Sequence, residues 1–140
     1  MRHFKLYELV DKTTYLILGE GAWSVFNPEA LIALDDLRDF LGVPLTVNNW
    51  WENKGTRQFS GYRPENCPIG AKFSQHRLGN AFDPLPGGGM TAEEARKKIL
   101  ADQDNPLVSR ITRLEAEVNW CHFDLAVLPK GKHRIYVFKG

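Results

Sequence analysis

The sequence predicts one α+β domain in which two main helices pack on a small antiparallel sheet. Three observations carry that prediction. Apolar residues recur every three or four positions between 31 and 41, a capping pattern at Thr91 opens a second helical segment, and the last third alternates apolar with polar. A chain of 140 residues is one domain in size, so residues 1–140 are read as a single unit able to bury a core without staples.

The first of the two helices begins after Asn27, a good N-cap, with Pro28 at the first helical position. Leu31, Leu34, Leu37, Phe40 and Leu41 form its apolar stripe, and Gly42 ends it. Residues 44–47 read as a strand. Residues 52–73 read as loop, punctuated by Gly55, Gly61, Pro64, Pro68 and Gly70, with room for a short strand at 58–60. Ala81, Phe82 and Asp83 form a brief strand stopped by Pro84 and the flexible run at 86–89. Thr91 and Glu94 make the capping box of the second helix, which carries Ala95, Ile99 and Leu100 inward and ends near Asp102. Residues 111–115 and 120–128 read as a strand pair with a turn at 116–119. A turn at Lys130, Gly131 and Lys132 leads into a last strand at 133–138.

The charge balance excludes some partners. A formal net charge of +1 gives no general pull toward nucleic acid or an anionic membrane surface. The run Arg96-Lys97-Lys98 reads as a solvated helix face. The apolar stretch at 15–18 is too short for a signal core or a membrane span, so synthesis in the cytoplasm without an export signal is expected. Cys67 and Cys121 lie outside any CxxC pair and read as free thiols. His3 and His133 read as surface residues. Trp50, Trp51 and Trp120 suit either a substrate groove or an aromatic core. Nothing in the sequence sets the oligomeric state.

Chemistry concentrates at three places. His76 and Asp83 lie seven apart, and His122 sits in the strand pair, within Trp120-Cys121-His122-Phe123-Asp124. Two imidazoles and a carboxylate meet the ligand count of a catalytic zinc site. The same residues with Ser74 also admit a Ser-His-Asp triad, although no nucleophile elbow is present. Glu115 and Glu117 are the acids near His122. On the register drawn above, Glu115 ends its strand opposite Trp120 and leans over His122, while Glu117 lies in the turn. Asp124 shares a strand face with His122 and can accept a hydrogen bond from its ring.

The segment Ser74-x-His76-x-x-Gly79-x-Ala81-x-Asp83 resembles the SxHxxGxAxD motif of D-Ala-D-Ala carboxypeptidase-like zinc peptidases. Trp120-x-His122 is similar to the late W-x-H of that family, and Ser60-Gly61-Tyr62-Arg63 to its SGYR segment. The resemblance spans residues 44–125. It implies the Hedgehog/DD-peptidase fold, also found in phage endolysins and vancomycin-resistance dipeptidases. It implies Zn2+ held by His76, Asp83 and His122, a substrate anchor in Arg63, and a supporting role in Ser74. It implies hydrolysis of peptidoglycan peptides, of the D-Ala-D-Ala carboxypeptidase or L-Ala-D-Glu endopeptidase type, by an enzyme released to the wall or carried on a phage particle. The chain departs from the family at Asn119, where an acid commonly stands three residues before the last histidine. Glu115 is then the expected base, with Glu117 as the alternative. A zinc-stabilised binding module without turnover is the other reading that Asn119 leaves open.

Overall fold

A computed structural model of the chain describes residues 1–128 and 134–140. The helix at Asn27 forms as its caps dictate. It runs Pro28–Leu41, with the Asn27 side chain accepting from Glu29 N and Gly42 closing it at φ 70°. The helix at Thr91 runs Ala92–Ala101, and both halves of its capping box are made. A third, unexpected helix, Lys12–Leu18, precedes them. Asp11 caps it by accepting from Thr14 N and Thr14 Oγ1. In chain order these are α1 (Lys12–Leu18), α2 (Pro28–Leu41) and α3 (Ala92–Ala101). None of the described helices is long and apolar enough to cross a membrane.

Among the described residues six short strands complete the α+β domain: β1 (Leu45–Thr46), β2 (Ala81–Phe82), β3 (Leu85–Pro86), β4 (Arg113–Ala116), β5 (Phe123–Asp124) and β6 (Tyr136–Lys139). They make two sheets. β1 pairs with β3, so the stop expected at Pro84 is followed by a further strand. The larger sheet has the order β2-β5-β4-β6. Residues 58–60 form no strand. Instead the Ser60 carbonyl accepts from Asp83 N at 2.7 Å.

The sheet is not wholly antiparallel. β2, β5 and β4 pair antiparallel, but β6 runs parallel to β4, with Arg113 beside Tyr136. Both edges of β5 are taken, by β2 and by β4, so the last strand cannot pair with β5 and joins the outer edge of β4. The expected turn at residues 130–132, and His133, lie outside the described residues.

Strand alternation then divides the chemistry from the core. Phe82, Phe123 and Leu114 pair across the sheet on one face and are fully buried. Behind them lie Leu34, Leu37 and Leu41 of α2 and Ala95 and Ile99 of α3. Phe26 stacks on Phe82 at 5.6 Å between ring centroids. The other face carries Asp83, His122 and Glu115. One basic residue departs from its expected setting. Lys97 and Lys98 are solvated, but Arg96 is buried, donating to the Trp120 carbonyl at 3.1 Å and to Glu93.

Candidate metal centre

The pairing of β2 with β5 continues one step beyond Phe82 and Phe123, which brings Asp83 beside His122. Glu115 N donates to the His122 carbonyl at 3.4 Å, so Glu115 stands opposite His122, and Phe138 of β6 opposite Glu115. Asp83, His122, Glu115 and Phe138 therefore form one row across four strands. The register differs by two residues from the one expected, which set Glu115 against Trp120. A shift of two keeps every side chain on its face, so Glu115 remains over the histidine and the connection lengthens to residues 117–122.

His76 reaches this row from a single turn of helix, Gln75–Leu78. Ser74 caps that turn, its Oγ accepting from His76 N at 3.2 Å. Gly79 closes it at φ 69°, a conformation that a side chain disfavours. A Cβ there would stand 2.1 Å from the Val25 carbonyl oxygen and 2.7 Å from Phe26 Cα. Glycine thus lets the ligand-bearing turn seat directly against the chain entering α2.

The three side chains converge. His76 Nδ1–H donates to the Gly61 carbonyl at 2.8 Å, which turns Nε2 toward Asp83 Oδ2, 3.1 Å away. His122 Nδ1 lies 2.6 Å from Asp83 Oδ1, and its Nε2 donates to Asp124 Oδ2 at 2.8 Å. All three are buried, and one ligand atom from each falls within 4.8 Å of the others. This cluster could hold a metal ion.

Its electrostatics match that capacity. Burial works against charge on Asp83, yet hydrogen bonds from His122 and His76 outweigh it and hold the carboxyl well below the usual range. Asp124 is lowered too: burial again opposes, and His122 and Arg113 prevail. Burial alone would lower His122, but its bonds to Asp124 and Asp83 raise it to about 9. The pocket is built for positive charge between two carboxylates.

In comparisons with family models, curated proteins and solved structures, nothing matches the chain. The site therefore stands on its own geometry.

A cleft of about 620 Å³ opens over the cluster, walled among others by Arg63, Phe73, Ser74, Glu115, Trp120 and Phe138. A second, of about 300 Å³, shares Arg63, Asp83 and Trp120 with it and continues past Phe59 and Ile69. Glu115 faces the first cleft, Oε2 4.0 Å from His122 Nδ1. Glu117 points elsewhere: it is exposed, at φ 64°, and pairs with Lys139 at 3.2 Å. Arg63 Nε donates to the Phe59 carbonyl and Nη2 to Asp83 Oδ2 at 3.1 Å.

The arrangement excludes the triad alternative. Ser74 Oγ meets the backbone of His76, while both ring nitrogens of His76 face Gly61 and Asp83. Ser74 holds the segment rather than the imidazole. Of the tryptophans only Trp120 reaches the clefts. Trp50 donates to the Val10 carbonyl and packs with Trp51 and Tyr15 elsewhere, and Trp51 packs with Tyr7. Cys67 and Cys121 are free and buried, and burial pushes the Cys121 thiol up to about 12.

One participant escaped the sequence reading. Arg113 grips Asp124 through Nε at 2.8 and 3.1 Å and Nη2 at 2.7 Å. Its only signal was alternation: Arg113 and Glu115, two apart on one strand, must share a face.

Proposed function

We propose that the protein is a zinc-dependent peptidase of the Hedgehog/DD-peptidase fold that cuts D-amino-acid-containing peptides of the bacterial cell wall, as a phage-type lytic enzyme. The observation that carries this reading is the buried His76, Asp83 and His122 cluster with Glu115 beside it at the wall of an open cleft. Two imidazole nitrogens and a carboxylate oxygen suit zinc, and three ligands leave a position open. Both histidines have one ring nitrogen tied to an oxygen acceptor, which fixes the other toward Asp83. Zinc bound there would supply Lewis acidity toward a peptide carbonyl and toward water.

The remaining steps belong to the chain. Glu115 takes a proton from the attacking water and returns it to the departing amine. Arg63 has Nη1 left over from its bonds to Phe59 and Asp83, and that nitrogen packs against Gly70 at the cleft. Both hydrogens of that nitrogen are left to donate to a substrate oxygen at the cleft. Arg57 and Arg113, the other arginines of the clefts, donate to the Val47 and Asp83 carbonyls and to Asp124. The two clefts that meet at Arg63, Asp83 and Trp120 give room for chain on both sides of the scissile bond, which favours a bond inside the peptide over removal of a C-terminal residue.

Digestion of purified muropeptides, followed by mass spectrometry with and without a chelator, tests the reading. Internal cleavage that stops on chelation and returns with zinc is expected. Release of terminal D-Ala alone would make it a carboxypeptidase. Zinc-loaded protein without turnover would leave a binding module of the same fold.

A further inference from the structure

We propose that Arg113 is a positioning residue for the metal centre, acting through Asp124 to set which nitrogen of His122 is presented to a cation. The inference rests on reading His76, Asp83 and His122 as a metal site, and it is independent of what the site hydrolyses.

Asp124 is fully buried, and a carboxylate out of water is stable as an anion only when donors surround it. Arg113 supplies most of them. Its Nε reaches both oxygens and its Nη2 reaches Oδ2, while Ala126 N adds a bond to Oδ1 at 3.1 Å. An ionised carboxylate only accepts, so the ring nitrogen facing Asp124 Oδ2 must be the one that keeps its hydrogen. That nitrogen is Nε2. Nδ1 is thereby the nitrogen free to offer a lone pair, and it is the one beside Asp83.

Arg113 is itself held. Its strand position faces Asp124 directly, and its guanidinium carbon sits 4.4 Å from the centroid of Phe138. Phe138 belongs to β6 and lies against the His122 ring at 5.6 Å. The parallel strand at the sheet's edge thus supports the ligand from outside. Lysine cannot replace this grip, because its single ammonium lacks the planar fork that spans two oxygens.

The test is zinc affinity, measured by competition with a chromophoric chelator, with the visible spectrum of the cobalt(II)-substituted protein as a second readout. Arg113→Gln is expected to weaken zinc binding about 10- to 100-fold and to alter the cobalt spectrum. Arg113→Lys keeps a charge beside Asp124 and so guards against loss of the fold. It is expected to recover part of the affinity and not all. In an Asp124→Asn background, Arg113→Gln should change affinity by less than about threefold, since the two act in series. Wild-type affinity and spectrum in folded Arg113→Lys and Arg113→Gln would overturn the proposal, as would independent, additive losses in the double variant. Failure of the wild type to bind zinc would overturn the metal site and this role together. None of these readouts uses a peptide, so a failure of the peptidase reading is seen separately, in muropeptide digestion.

Discussion

Glu115→Gln isolates the proton-transfer role from everything else the residue does. The amide keeps the length and shape of the side chain beside His122 but cannot accept a proton. A positioned general base contributes about 10²- to 10⁴-fold, which is roughly 2.7 to 5.4 kcal/mol of barrier at ~1.36 kcal/mol per decade. The cost to the fold is small by comparison. Glu115 Oε2 is 4.0 Å from His122 Nδ1, beyond hydrogen-bond distance, so the pair contributes on the order of 1 kcal/mol or less. Initial rates on muropeptides, zinc content and a thermal melt should be read on the same preparations. Expected are full zinc, a Tm within a few degrees of wild type, and a rate lower by two to four decades. Glu117→Gln is the control: Glu117 and its partner Lys139 are both largely exposed, so rate and Tm should match wild type. A Glu115→Gln rate within threefold of wild type refutes the assignment, and a loss confined to Glu117→Gln refutes the register of the strand pair.

Three further perturbations have defined outcomes. Gly79→Ala places a methyl 2.1 Å from the Val25 oxygen at φ 69°, and should lower stability by more than about 2 kcal/mol in urea unfolding. Arg63→Lys should retain zinc but lose roughly 10- to 100-fold in kcat/KM, because an ammonium cannot hold Phe59 and Asp83 while also reaching substrate. In metal-free protein His122 is raised from 6.5 to about 9, so its stabilising contribution is full below about pH 6.5 and lost as pH rises through 9. The urea midpoint of chelated protein should fall across that window, and a flat profile would contradict the pairing with Asp83 and Asp124.

What the sequence disclosed was local. The capping residues Asn27 and Thr91 sit beside the amides they satisfy, so α2 and α3 could be read directly. His76, Gly79 and Asp83 lie within eight residues, and Ser74 caps the turn that carries them. Helix α1 was missed because its apolar residues Leu16, Ile17 and Leu18 are exposed and Thr14 is its buried residue, so no amphipathic stripe marks it. The basic run at 96–98 concealed a buried arginine, whose acceptor, the Trp120 carbonyl, lies 24 residues away. The parallel placement of β6 depends on β2 having already taken the free edge of β5, a competition that no strand's own pattern records. Arg113 and Asp124 meet only once β4 and β5 are in register. The candidate ligands were legible with Ser74 and Asp124 beside them, whereas the Gly61 carbonyl that holds His76 and the arginine that holds Asp124 were not.

The central claim is that His76, Asp83 and His122 bind one metal ion together. Zinc content per chain after exhaustive dialysis, for wild type and for His122→Ala at equal concentration, tests it most directly. About one zinc in the wild type and a sharply reduced content in the folded variant is the predicted result. A wild type free of zinc, or full occupancy in His122→Ala, would contradict it.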